Sequence, residues 1–305
     1  MSTSASPAVT AIVPTRGRAE LLQRAVDAIR AQDYPGDVHC LVVYDGTEPD
    51  FSLCRDGRRS VLVCSNTRKP GLAGARNTGI ILTQTELVAF CGDDDAWLPG
   101  KLSAQARRLA EVPDAALVSC GIRIESGGHT CDHRLDATEV STDELLRGPP
   151  AELHPSSFLF RRQRLVDLGM VDEDAPGGFG VDYELLLRVA RESPVANVPE
   201  VHALVRGNDE PGSGRDWGAT ATALARLLDG YPELRGSRAG EARVAGQIAF
   251  AHAALGDRRE TLRWVRRTVR RDPRQALAYL ALAIASGLVT PDAVLRRLHR
   301  RGRVV

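Results

Sequence analysis

The chain has 305 residues, of which 43% are hydrophobic and 26% charged, with a net charge of +1. This is the composition of a globular protein with room for one large domain or two smaller ones. There is no whole-chain basic excess to suggest nucleic acid, and no window approaches eighteen uninterrupted apolar residues, so no membrane span is predicted.

Residues 1–7 lack the basic and apolar segments of a signal peptide, and a cytoplasmic location is expected. Residues 8–13 form a short β-type run that ends at Pro14-Thr15-Arg16-Gly17-Arg18. Leu21, Leu22, Ala25, Val26 and Ile29 then fall on one helical face, which Pro35-Gly36 terminates. Residues 38–44 and 61–64 predict two more strands, the first closed by Asp45-Gly46-Thr47. Strand, helix and strand with short links imply parallel pairing, and ligands of such sheets gather where the strands end.

Gly71-Leu72-Ala73-Gly74-Ala75-Arg76-Asn77-Thr78-Gly79 opens the next helix. Its small residues permit close backbone approach. Arg76 is either a phosphate ligand or the partner of a carboxylate. Leu87-Val88-Ala89-Phe90 reads as a strand buried on both faces, followed by Cys91-Gly92-Asp93-Asp94-Asp95-Ala96-Trp97-Leu98-Pro99. Three adjacent aspartates repel one another, and a hard divalent cation such as Mg²⁺ or Mn²⁺ would relieve them. The competing reading is a solvated turn with one aspartate capping a helix.

Lys101–Glu111 reads as a helix and residues 115–124 as a strand, whereas 125–155 is polar and without clear period. A strand at 156–160 and a short helix at 161–168 follow. Glycines 177, 178 and 180 then precede an amphipathic helix with Asp182 in its first turn, where it can cap, and Glu184 facing solvent. Residues 195–205 carry two β-type runs around Pro199. Residues 206–217 form a polar, Gly-rich loop of the kind that closes over a substrate.

From about residue 219 alanine, leucine and arginine dominate, and four or five helices resembling tetratricopeptide-like hairpins are expected. Thirteen arginines face four acidic residues between Asp257 and Val305, a local net charge of +9. Either this is a solvated face or it touches an anionic membrane surface or an acidic acceptor. The six cysteines, Cys40, Cys54, Cys64, Cys91, Cys120 and Cys131, include no CxxC, and free thiols are expected. His129, Cys131 and His133 have ligand-like spacing without a second cluster.

Taken together, five blocks resemble a family 2 glycosyltransferase of the GT-A fold, over residues 8–217. They are Ala11-Ile12-Val13-Pro14-Thr15-Arg16-Gly17-Arg18; Val42-Val43-Tyr44-Asp45-Gly46-Thr47; Ala75-Arg76-Asn77-Thr78-Gly79; Phe90 to Pro99; and Phe179-Gly180-Val181-Asp182-Tyr183-Glu184-Leu185. The chain departs from the family pattern at Arg16, Gly17, Gly92 and Val181. The resemblance implies an α/β nucleotide-sugar-binding sheet flanked by helices (1–217), followed by an all-α region (218–305). It also implies inverting, metal-dependent transfer of a sugar from a nucleotide diphosphate sugar to a hydroxyl of a glycan, glycolipid or small natural product.

On this resemblance Asp182 is the catalytic base. Pro14, Thr15, Arg16, Asp45, Arg76 and Asp93 hold the donor. Asp94 binds Mn²⁺ or Mg²⁺, with Asp95 as alternative ligand or support. Peripheral membrane contact and pairing of chains are both expectations for the basic helices. The rival readings are a non-catalytic nucleotide-sugar-binding assembly protein and a nucleotidyltransferase.

Overall fold

A computed structural model describes residues 6–148, 150, 152–207 and 216–299. The expected closing loop therefore lies, from 208 to 215, outside the described residues, as do Arg300, Arg301 and Arg303. The chain forms two compact units, one of residues 1–141, 151–173 and 181–207, the other of 142–150, 174–180 and 208–305.

The first unit begins with β1 (Val9–Thr15), α1 (Ala19–Arg30) and β2 (Val38–Tyr44), then β3 (Val61–Ser65), α2 (Leu72–Leu82) and β4 (Leu87–Phe90). All four strands pair in parallel, with β1 between β2 and β4 and β3 outside β2. Val9, Ala11, Val13, Val42 and Ala89 are fully buried, as expected of parallel strands covered on both faces. The helix α1 turns Leu22, Ala25, Val26 and Ile29 inward, matching the sequence period.

Beyond β4 come β5 (Ala96–Trp97), α3 (Lys101–Glu111), β6 (Leu117–Ser126), β7 (His129–His133) and β8 (Glu139–Val140). The next helix, α4 (Thr142–Arg147), belongs to the second unit. Then β9 (Leu159–Arg161), α5 (Arg162–Asp167), α6 (Val181–Glu192) and β10 (Val195–Arg206) complete the first. The sheet runs β3-β2-β1-β4-β9-β6-β10-β5, with β7 paired to β6 and β8 to β10. The second half is mixed: β9 is antiparallel to both β4 and β6, and β6 is parallel to β10.

Three segments differ from the sequence expectation. The region thought patternless contains a β6–β7 hairpin whose two-residue loop, Gly127-Gly128, has φ of 55° and 77°. That left-handed pair suits the right-handed twist of a tight hairpin, and only glycine adopts it cheaply. The strand expected at 156–160 starts later, because Pro155–Ser157 is a 3-10 turn. The two runs around Pro199 are one strand, β10, whose register against β6 shifts between Val198 and Val201. Proline cannot donate to the ladder, so the pairing skips it.

The second unit adds α7 (Trp217–Gly230), α8 (Pro232–Gly236), α9 (Arg238–Ala254), α10 (Arg258–Arg271), α11 (Ala276–Ala285) and α12 (Pro291–His299). Asp216, Ser237 and Asp257 cap α7, α9 and α10 by accepting from backbone N–H groups. Packed against by α7, α8, α10 and α11, α9 buries Ala242, Ala245, Ile248, Ala249 and Phe250. Its buried Glu241 pairs with Arg267 and Arg271 of α10. All six cysteines are free, and no described helix is long and apolar enough to cross a membrane.

Lys101, at the start of α3, is fully buried. Its Nζ donates to Gln105 Oε1 at 2.8 Å and lies 4.2 Å from the Trp97 ring centroid. Burial pushes its pKa from 10.5 down to about 8. The unfolded chain therefore binds more protons than the folded one between those values, and this group's contribution to stability rises with pH across that window. The stability difference between Lys101→Met and the parent chain, from urea denaturation at stepped pH, is expected to be constant below pH 8. It should move in favour of the parent between pH 8 and about 10.5; a flat difference would refute the burial argument.

Candidate functional site

The first-unit residues singled out in the sequence lie largely where β1, β2 and β4 end. Pro14 and Thr15 close β1, Asp45 follows β2, and Asp93, Asp94 and Asp95 follow β4. Arg76 lies in the second turn of α2, and Asp182 is the second residue of α6. Close packing of α2 on β1 depends on Gly79, where a Cβ would lie 2.6 Å from Ile12 Cγ2.

Asp45 is buried, and its two oxygens are shared among four donors. Arg16 Nη2 donates at 2.9 Å and Nε at 3.1 Å, Asn66 Nδ2 at 2.9 Å, and the Gly71 N–H at 3.0 Å. Burial raises the carboxyl pKa, but Asn66, the Gly71 amide and Arg16 outweigh it and hold the group below its usual range. Asp45 thus stands at the rim as a fixed acceptor between β2 and the start of α2.

Asp93 accepts from Thr15 Oγ1 at 2.6 Å and, through both oxygens, from the guanidinium of Arg18. Arg18 Nη1 also donates to Asp94 Oδ2 at 2.8 Å. One guanidinium therefore binds two adjacent carboxylates, and its bond to Asp93 helps raise its own pKa. Asp95 behaves differently. Its Oδ1 accepts from the Arg206 N–H at 3.0 Å, and its Oδ2 accepts from the Ser156 hydroxyl. Ser156 Oγ also accepts from the Gly92 N–H at 2.9 Å, which pins both ends of the aspartate turn.

Arg76 is buried, its guanidinium 5.0 Å from the Phe90 ring centroid, and its Nη1 donates to Asp182 Oδ1 at 2.6 Å. Its Nε has no partner among the described residues. The neighbouring Asn77 donates to the Val171 carbonyl at 2.8 Å and to Glu173 Oε1 at 2.6 Å, and accepts from the Val171 N–H. The Ala75-Arg76-Asn77 block thus fastens α2 to two points on the segment leading to Asp182. Glu184, expected in solvent, is instead half-buried and paired with Arg188 one turn on.

His154 was not singled out in the sequence. Its Nδ1 accepts from the Ser156 N–H at 3.3 Å and lies 3.9 Å from Asp95 Oδ2. Burial lowers its pKa, and it feels Asp95, Asp182, Arg76 and Asp94 together. The aspartate turn and the start of α6 are linked instead through Arg76, which lies over Phe90 and donates to Asp182. Arg18 and Ser156 are equally inconspicuous in the sequence. The only signals for them are the basic residue closing Thr15-Arg16-Gly17-Arg18 and the His154-Pro155-Ser156 run.

No group of three or more His, Cys, Asp or Glu among the described residues is arranged as a ready metal site. Asp93 and Asp94 nonetheless converge on a single cationic group, and their hard oxygen donors suit Mg²⁺ or Mn²⁺.

Residues 10–169, just over half of the chain, match the sequence profile of the family described as Glycosyl transferase family 2. The Campylobacter jejuni GalNAc(5)-diNAcBac-PP-undecaprenol beta-1,3-glucosyltransferase is 32% identical over 110 residues, 34% of this chain and 35% of that protein. The Mycobacterium tuberculosis pre-mycofactocin glycosyltransferase is 29% identical over 209 residues, 64% of this chain and 43% of the relative. The chain thus spans less than half the length of either.

Among solved structures, S. aureus TarS 1–349 in complex with UDP-GlcNAc superposes with a TM-score of 0.62 at 15% identity, covering 97% of this chain and 92% of that one. The mannosyltransferase PcManGT from Pyrobaculum calidifontis, in complex with GDP-Man and Mn²⁺, gives 0.56 at 20% identity, covering 95% and 83%. These likenesses establish a GT-A fold.

Removing Arg18 leaves buried Asp93 with Thr15 as its remaining side-chain donor. Arg18→Gln is expected to cost about 1–2 kcal/mol in chelator, read as a lower melting midpoint. Added Mn²⁺ should raise the midpoint of the variant more than that of the parent, because a cation then has no guanidinium to displace. Equal Mn²⁺ shifts would show that Arg18 does not occupy the cation position.

Proposed function

The chain belongs to glycosyl transferase family 2, and from that premise we propose that it transfers a sugar from a nucleotide diphosphate sugar to a hydroxyl acceptor with inversion. Residues 1–217 are the transferase domain on this reading, and 218–305 a helical domain. The observation that carries the reading is Arg76, whose guanidinium lies 5.0 Å from the ring of Phe90, just before the aspartate turn, and donates to Asp182 Oδ1 at 2.6 Å.

Asp45 accepts from an N–H of the donor base, with Pro14, Thr15 and Arg16 lining the same rim. Asp93 faces the ribose or phosphate side. Asp94, the most exposed of the three turn carboxylates, holds Mg²⁺ or Mn²⁺, and Asp95, engaged by Ser156 and Arg206, supports the turn from behind. The bound cation would neutralise charge on the leaving diphosphate. Arg76 adds a second positive charge on that side.

Asp182 Oδ1 is held by Arg76, which leaves Oδ2 for the acceptor. As the acceptor oxygen bonds to the anomeric carbon, its proton passes to Asp182 and the bond from that carbon to the diphosphate oxygen breaks. One base opposite one leaving group gives a single in-line displacement, and hence inversion. The Campylobacter relative is named for a lipid-linked glycan and the mycobacterial one for pre-mycofactocin. Glycolipid and small natural-product alcohols are therefore the acceptor classes to try first.

Asp182→Asn tests the assignment. Transfer is expected to fall about 10²–10⁴-fold, while the melting shift given by UDP- or GDP-sugars with Mn²⁺ stays as in the parent. Undiminished turnover would remove Asp182 from the base role. A parent that binds the donor but neither transfers nor hydrolyses it would favour a non-catalytic binding protein.

A further inference from the structure

The second unit carries a charged surface to which the proposed sugar transfer assigns no role. Along α10, Arg259, Arg263, Arg266 and Arg270 are exposed and recur at the spacing of one helix face. The opposite face, Thr261, Trp264, Val265 and Thr268, is buried. Arg263 pairs with Glu260, whereas Arg259, Arg266 and Arg270 make no side-chain hydrogen bond or ion pair among the described residues. Arg267 and Arg271 turn to the buried Glu241 and stand apart from this stripe.

The stripe begins at an apolar tip. Leu255, which ends α9, is 52% exposed, and Leu288, in the α11–α12 turn, is 79% exposed. These two turns lie at the same end of the helices, because Arg258 at the start of α10 donates to the Ala285 carbonyl at the end of α11. Leu262 on α10 is also largely exposed. The nearby acids Asp257 and Glu260 are engaged, Asp257 in capping α10 and Glu260 with Arg263.

We propose that this arginine stripe and leucine tip dock the protein on an anionic lipid bilayer. Aliphatic side chains on protruding turns suit insertion among acyl chains, and the adjoining arginine face complements anionic headgroups. Long arginines spaced along about 16 Å of helix reach separate headgroup phosphates without needing a fixed geometry. This inference stands apart from the sugar-transfer reading, and either can fail without the other.

The test is co-sedimentation of the full chain with vesicles of phosphatidylcholine alone or mixed with phosphatidylglycerol. Binding is expected only to the anionic vesicles and is reversed by salt. Replacing Arg259, Arg266 and Arg270 together by Glu should weaken it by about a hundredfold or more. Leu255→Ser with Leu288→Ser should weaken it about tenfold. Circular dichroism and the donor-induced melting shift should match the parent in both variants, which separates lost docking from lost folding. The proposal is overturned if the parent ignores anionic vesicles or the variants bind as well as it does. It is also overturned if light scattering shows a dimer that the leucine variants dissolve while vesicles are not bound, which would make the tip an interface between copies.

Discussion

Five carboxylates brought toward one edge of a sheet repel one another, and partial burial strengthens that repulsion. The first unit meets this cost locally, with donors placed against every one of the five. Asp45 has Arg16, Asn66 and the Gly71 amide. Asp93 and Asp94 share Arg18. Asp95 takes the Ser156 hydroxyl and a backbone N–H, and Asp182 takes Arg76. The turns at the strand ends are shaped by these pairings, so the layout of the rim and its electrostatics are one problem.

The block Ala75-Arg76-Asn77 shows how far such a pairing reaches. It lies on α2, pressed against β1 through Gly79, yet its two polar side chains hold a segment roughly a hundred residues later, Val171 and Glu173 by Asn77 and Asp182 by Arg76. The start of α6 is thereby tied to a helix of the early parallel sheet. Ser156 does the same for the aspartate turn, binding both Gly92 and Asp95 while its carbonyl accepts from Trp97. Segments remote in sequence are fastened to the rim by single side chains.

That architecture explains what the sequence discloses. The parallel strands β1, β2 and β4 are continuous apolar runs because both faces are covered, and such runs can be read within a residue or two. The exposed hairpin strand β7 has no apolar period, and only Gly127-Gly128 betrays it. Acids at the ends of apolar runs are equally visible, which is why Asp45, the aspartate turn and Asp182 stand out. Their partners are not: Arg18 lies 75 residues from Asp93, and Arg76 lies 106 from Asp182. No local spacing encodes a pairing made by the fold. His154 is hidden for the same reason, since a lone histidine before a proline carries no pattern until the sheet sets it beside Asp95.

The three arginine pairings differ in how readily they can be exchanged. The side chains of Arg16 and Arg18 are 71% and 51% exposed, whereas that of Arg76 is 7% exposed. An exposed guanidinium moves readily into water or onto an incoming anion, where its own charge stays solvated. A buried one does not, because departure strands a charge in a poorly solvated place. A diphosphate arriving at this rim would therefore draw Arg16 and Arg18 outward and free Asp45, Asp93 and Asp94 for new partners. Arg76, buried over Phe90, would stay paired with Asp182. Burial thus divides the rim into a part free to rearrange and a part that keeps Asp182 oriented throughout.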